Sequence, residues 1–352
     1  MKFGISLFPT VGPDERSAAE YYDDSIRLAQ LADILGFAHV QIVEHYLTEY
    51  GGYSPDPVPF LTAVAAKTNR IRVVTGAVLP AFAHPVTLAG KLAMLDNLSH
   101  GRLDVGFGRA FLPAEFAVFG VSLDESRAKF IAGVDACRRL WSEEDVTVDT
   151  PWWRFGPVTM LPRPYQRPHP PIFVASATSS ESCAAAGRAG YHLQAVPTVT
   201  SHEGLKDMLA AYRAARAEAG HAGPGHIQLK FTCYLSEDSA RAVEGARHWE
   251  HDYAEKMTRA VEAWASVRSA DYPGYEKLVE KAKQYSFDTS LRNVKVLAGS
   301  PTEVTEQLST VAEWFGDDLT VSLLFNPGRM PPAEAERSID LFAAKVAPVL
   351  SH

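Results

Sequence analysis

The stretch VTGAVLPAFAHPVTLAGKLAMLDNLSHGRLDVGFGRA, residues 74–110, spans one unit of a parallel α/β fold. It begins within a β-branched apolar run, Ile71–Leu79, and closes on a second run, Leu103–Gly108. The segment between them is long enough for the crossover that two parallel strands require. The same alternation continues outward in both directions. Further short apolar runs fall at Lys2–Phe8, His39–Glu44, Ile172–Ala175, His192–Val196, Ile227–Leu235 and Leu319–Phe325, which brings the candidate strands to eight.

Amphipathic segments separate these runs. Leu28, Leu31, Ala32 and Leu35 repeat at helical spacing, and Gly36 supplies a stop. Similar stripes are Phe130, Val134, Cys137 and Trp141, then Val243, Ala246, Trp249, Tyr253 and Met257, then Ile339, Phe342, Ala343 and Val346. Ser300-Pro301-Thr302-Glu303 reads as a capping box with proline in the first helical position, and Thr200–Glu203 has the same spacing. Eight strand–helix units with right-handed crossovers predict an α/β fold of the (β/α)8, or TIM-barrel, type in a single domain over residues 1–352. An open doubly wound sheet is the alternative. A dinucleotide-binding member of that class wants G-x-G-x-x-G after its first strand, whereas this chain has Pro9-Thr10-Val11-Gly12-Pro13.

Two stretches break the repeat. Thr147–Arg167, with Trp152, Trp153 and several prolines, reads as a small hairpin and a rigid connection into strand five. Ser266–Asn293 is an insertion after the long helix that follows strand seven. Loops after strands reach the C-terminal face, where barrel active sites sit, so this insertion is a candidate lid.

Composition narrows the function. The net charge of −8 carries no basic block, which argues against nucleic acid as a partner. Cys137, Cys183 and Cys233 lie far apart without a CxxC, which suits a reducing compartment. The apolar start MKFGISLF stops at Pro9, too short for a signal peptide, and no run reaches membrane-spanning length. A cytoplasmic protein is expected.

The strand ends hold the chemistry-bearing residues. Strand two ends in Glu44-His45-Tyr46, and strand four in Gly108-Arg109-Ala110-Phe111. Strand five ends in Ser176-Ala177-Thr178-Ser179-Ser180 and runs straight into a helix. Hydroxyl residues at a helix start either cap it or join its free N–H groups in holding an anion. Arg109 on the neighbouring strand end favours a phosphorylated cofactor, since a guanidinium grips phosphate bidentately. His45 is the best acid/base candidate, because imidazole titrates near neutrality, and Glu44 could orient it or brace the barrel. His39, His45, His84 and Glu44 show no HxH or HExxH spacing, so no metal is expected. No G-x-S-x-G supports a serine hydrolase.

At these residues the chain resembles the bacterial-luciferase-like flavin-dependent monooxygenases over nearly its whole length. The likeness rests on MKFGISLF, on HVQIVEHYLTEYG at 39–51, on the LP turn, His-Pro, LD-LS-GR run and Gly-x-x-Arg of residues 74–110, and on RPHPPIFVASATSSES. It implies a two-component monooxygenase that takes reduced FMN from a separate flavin reductase and uses dioxygen to oxygenate a small organic substrate. It implies that Arg109 with Ser176, Ala177, Thr178 and Ser179 holds the FMN phosphate. Thr75 and Gly76 would run along the flavin ring, where the family often has a cis peptide, and His45 would be catalytic. Phe8, Tyr46, Phe82, Phe111 and Leu112 would form an apolar, substrate-facing wall. A homodimer through helices beside the early strands is implied as well. The luciferase cysteine before the arginine is Gly108 here, which points away from light emission and an aldehyde substrate. Two alternatives stand beside this reading: a deazaflavin-dependent oxidoreductase of the same fold, and a non-catalytic flavin-binding protein.

Overall fold

Each apolar run is covered on its outer face by a helix and on its inner face by the other strands, and the alternation closes on itself. The computed structural model describes residues 1–350. Its strands are β1 (Lys2–Leu7), β2 (His39–Ile42), β3 (Arg72–Thr75), β4 (Leu103–Phe107), β5 (Val146–Asp149), β6 (Arg154–Val158), β7 (Ile172–Ala175), β8 (His192–Ala195), β9 (Ile227–Leu235), β10 (Val296–Gly299) and β11 (Thr320–Leu324). The helices are α1 (Ala18–Leu35), α2 (Pro57–Lys67), α3 (Pro85–Leu98), α4 (Pro113–Phe119), α5 (Ser126–Ser142), α6 (Ser180–Arg188), α7 (His202–Glu218), α8 (Ser239–Val261), α9 (Leu278–Lys283), α10 (Phe287–Arg292), α11 (Pro301–Phe315), α12 (Pro332–Lys345) and α13 (Ala347–Leu350). Eight parallel strands form a closed barrel in the order β1-β2-β3-β4-β7-β8-β9-β11, and β11 pairs with β1 to complete it. This is the (β/α)8 barrel expected from the alternation. No helix among the described residues is long and apolar enough to cross a membrane.

Details depart from the sequence reading. A ninth strand, β10, joins the sheet. Gln228 of β9 pairs with Gln194 of β8 and Thr320 of β11, whereas Thr232 pairs with Val296 of β10 and Leu324 of β11. The long β9 therefore changes neighbours along one edge. Strand three is shorter than Ile71–Leu79. It ends at Thr75, the Gly76–Ala77 peptide is cis, and only Val78 bridges again, to Phe107. The α7 cap is Ser201, whose side chain accepts from Gly204 N, one residue later than the Thr200 start read from spacing. Leu35, on the α1 stripe, is exposed, while Gly36 does end that helix in the left-handed region. The Ser300 capping box and the β5–β6 hairpin are both present.

Residues alternate in β9 with an unusual outcome. Ile227, Leu229, Phe231 and Cys233 bury against the helices, and Gln228 points into the lumen. There Gln228 Nε2 meets His39 Nε2 at 2.8 Å and donates to Gln41 Oε1 at 2.9 Å; Ser322 Oγ donates to the same Gln41 oxygen at 2.8 Å. Gln194 Nε2 donates to Gln228 Oε1 at 2.9 Å. Buried polar groups are tolerable when bonded to one another in this way. Burial pushes His39 down to about 3, so it sits there as a neutral ring.

The apolar shell carries the stability. Trp141 of α5 is fully buried, and its indole N–H donates to Ala89 O at 2.9 Å. Trp141→Ala is expected to cost about 3–5 kcal/mol, from lost burial, a residual cavity and the lost bond to Ala89 O. Denaturant unfolding measures it, and a loss below about 1 kcal/mol would contradict tight packing at this point.

Candidate active site at the C-terminal mouth

Arg109 and Ser176 come together through strand register. Phe107 of β4 pairs with Val174 of β7, so the two residues leave adjacent strand ends at matching positions. The β5–β6 hairpin lies outside the barrel and leaves β4 and β7 as neighbours. Beyond Ser176 the chain turns into α6, capped by Ser179, whose hydroxyl accepts from Ser182 N at 3.2 Å. Ser176 Oγ donates to Ser179 O at 3.3 Å, and Ala177 and Thr178 are exposed. The turn is thus a built cap, and a helix start still has first-turn N–H groups that its own carbonyls do not reach.

Arg109 itself is only part-committed. Its Nη2 donates to Asp271 O at 2.9 Å, and its guanidinium lies 4.1 Å from the centroid of the Tyr272 ring. Its Nη1 is buried and has no hydrogen-bond partner among the described residues. An orphaned guanidinium N–H is costly unless something accepts from it. This fits a phosphate group placed between Arg109 and the α6 start.

The Ser266–Asn293 insertion covers this mouth. Tyr272, Tyr275, Leu278, Val279 and Ala282, together with Trp264 just before the insertion, belong to one apolar cluster with Phe8, Leu112 and Phe116. Trp264 Nε1 donates to Phe111 O at 2.8 Å, and Tyr272 Oη donates to Ala110 O. The closure buries the residues flanking Arg109.

His45 follows β2 and is buried. Its Nδ1 lies 3.1 Å from Glu115 Oε1, and the same oxygen accepts Tyr46 N at 2.9 Å. With Nδ1–H donating to that carboxylate, the network leaves Nε2 as the acceptor nitrogen. Gly51, at φ 87°, lets the chain fold back on the imidazole; a Cβ there would stand 2.8 Å from His45 Cβ. Phe8 and Phe111 flank the ring with centroids 5.7 Å away, and Tyr50 lies at 5.4 Å.

Glu115 was missed in the sequence. It sits in the first turn of α4, where an acidic residue ordinarily answers the helix dipole. Glu44 has the bracing role instead: it accepts Leu79 N at 3.1 Å and Tyr46 Oη at 2.7 Å. Burial raises the Glu44 carboxyl to about 7. Tyr46 and Phe82 turn away from His45 and pack with α4, Tyr46 on Phe119 at 4.7 Å and Phe82 on Phe116 at 5.0 Å. The expected wall therefore divides, with Phe8 and Phe111 at the histidine and Tyr46 and Phe82 behind it. Leu112 is buried just before α4.

Thr75 uses its side chain within the sheet, donating to Gly106 O at 2.9 Å and accepting Gly106 N at 2.8 Å. Gly76 remains part-exposed, and a Cβ there would meet Gln41 Nε2 at 1.8 Å. The cis peptide follows it, at Gly76–Ala77. His39, His84 and Glu44 each have separate partners, and no group of three metal-ligating side chains occurs among the described residues.

A parallel barrel that carries an arginine, a hydroxyl turn and a held histidine at its C-terminal mouth has the layout of an α/β-barrel enzyme. The chain belongs to the luciferase-like monooxygenase family, whose model matches residues 1–318. It is 30% identical over 257 residues to the oxygenase component of a flavin-dependent trigonelline monooxygenase from Acinetobacter baylyi, covering 72% of this chain and 71% of that one. It is 29% identical to the uncharacterized protein y4wF of Sinorhizobium fredii over 58% of this chain, a match that spans only 62% of that relative's length. Monooxygenase RslO1 from Streptomyces bottropensis superposes over 100% of both chains, at 48% identity and a TM-score of 0.91. Solved structures at 22% and 17% identity share the fold alone: a 3,6-diketocamphane monooxygenase from Pseudomonas putida in complex with FMN, covering 99% of this chain and 98% of that one at a TM-score of 0.80, and a coenzyme F420 dependent reductase from Methanopyrus kandleri, covering 99% of each at 0.69.

Proposed function

We propose that this chain is the oxygenase component of a two-component monooxygenase that uses reduced FMN and dioxygen on a small organic substrate. The observation that carries the reading is Arg109, with a buried, unpartnered Nη1 in register with the Ser176–Ser179 turn. In this reading Arg109 and the α6 N-terminus hold the FMN phosphate, and Gly76 gives the ring a flat bed along β3. Reduced FMN, when bound, supplies the electrons that activate dioxygen for transfer of one oxygen atom. His45 Nε2 takes up and returns protons in the mouth, and Glu115 fixes its ring. Phe8, Phe111, Trp264 and Tyr272 keep water out, which protects reactive oxygen species from wasteful decay. A separate flavin reductase and a homodimeric state belong to the same proposal.

The test is direct. Photoreduced FMN is mixed with the protein and air in a stopped-flow instrument, and the return of oxidised-flavin absorbance is followed. Slowing by about tenfold or more against free FMN is expected if the mouth excludes water and holds the flavin. Return at the rate of free FMN would overturn the reading. A coenzyme F420 titration on the same protein separates the deazaflavin alternative, which predicts tighter binding of F420 than of FMN.

A further inference from the structure

Lys230 occupies the lumen side of β9, two residues above Gln228, and it has no role in the site as described. Its ammonium nitrogen lies 4.3 Å from the centroid of the Phe8 ring, the ring that also touches His45. It makes no hydrogen bond or ion pair with any described residue, whereas Gln228 below it is fully bonded into the lumen network. It is also only half-buried, although it lies deep in the barrel. Gly76 of the β3 end and Ala175 of β7 are part-exposed in the same way. A filled barrel would bury all three, so they border a hollow in the mouth. Around the ring and the amine stand Tyr50 and His45 from the loop after β2, and Tyr253 and Glu250 from α8. Tyr50 and Tyr253 bond to each other through their hydroxyls at 3.1 Å, and Glu250 is engaged by Tyr234 and Tyr285. The two tyrosine hydroxyls and the Glu250 carboxylate are thus already partnered, whereas the amine is not.

We propose that Lys230 accepts the proton of an acidic substrate hydroxyl, a phenol or an enol, and holds the oxyanion that results. The proposal rests on the oxygenase reading and adds the substrate class to it. In the step, the substrate O–H bond breaks, its electron pair stays on oxygen, and a new N–H bond forms on Nζ. The oxyanion makes the ring or enol carbon electron-rich, which is what attack on an electrophilic oxygen donor requires. Burial pushes the amine down to about 7, with Glu250 opposing it, so a neutral acceptor is available near neutral pH. The aromatic walls Phe8, Tyr50 and Phe111 suit a planar substrate.

The probe is 4-nitrophenol, whose phenolate is yellow and whose phenol is not; 4-nitroanisole is the same ring without the acidic proton. Each is titrated into the wild-type protein, with and without FMN, at a pH below the dye's own pKa. Wild type is expected to develop the phenolate colour on binding. Lys230→Met and Lys230→Gln should bind the phenol about tenfold more weakly and without colour, with anisole affinity unchanged. Should either variant fail to fold, the comparison of the two dyes on wild type decides. A colourless complex, no complex, or equal affinity for both dyes overturns the proposal, as does a coloured complex that survives in Lys230→Met and vanishes in His45→Ala. FMN affinity and flavin reoxidation are measured on the same samples. Colour without FMN binding sinks the oxygenase reading alone, and FMN binding without colour sinks Lys230 alone.

Discussion

Alanine at position 45 is expected to lower turnover by about 10²–10⁴-fold while FMN affinity stays within about threefold of wild type. The separation follows from placement. His45 is held by Glu115 on a loop after β2, whereas the proposed phosphate contacts sit on the ends of β4 and β7, on the other side of β3. The ring is enclosed by Phe8, Tyr50 and Phe111, so no other imidazole can take over its proton. Glu115→Ala should fall between wild type and His45→Ala, because it frees the imidazole to rotate and leaves Tyr46 N without its acceptor. Steady-state turnover with an excess reductase, beside equilibrium titration of FMN, measures both quantities. A parallel fall in FMN affinity would reassign His45 to shaping the mouth.

Much of this arrangement was legible in the chain, for physical reasons that also explain the gaps. The eight barrel strands show as short apolar runs set between helical patterns, even where a polar lumen residue such as Gln41, Gln194 or Gln228 interrupts the run, so their alternation can be read. Val296–Gly299 is four residues with two small ones, and it pairs with only the upper part of β9, so it leaves no pattern to read. Arg109 and Ser176 could be paired in advance because strand order follows chain order around a barrel. Glu115 could not, since an acid in a first helical turn needs no partner to be explained. Lys230 was hidden within an apolar run; only closure of the barrel shows that alternate residues of β9 face the lumen rather than solvent. The contact of Arg109 with Asp271 and Tyr272 joins segments more than 160 residues apart, and no local rule reaches it.

That contact shapes the remaining prediction. Arg109→Ala is expected to weaken FMN binding by about a hundredfold, the loss of two charge-assisted bonds to phosphate less what solvent restores. Riboflavin has the same ring and no phosphate, so its affinity should change by less than about threefold, and the ratio of the two affinities isolates the phosphate. Arg109→Lys should recover part of the FMN affinity, because an ammonium supplies charge without the planar fork. The geometry explains why the insertion need not leave for phosphate to be held: Nη2 is bonded to Asp271 O, while Nη1 is the free donor. If FMN and riboflavin weaken equally in Arg109→Ala, the arginine acts by docking Tyr272 and the insertion over the mouth. Phosphate recognition would then have to come from the Ser176–Ser179 turn alone, where Ser179 already spends its hydroxyl on Ser182 N and the α6 dipole would be the main attraction left.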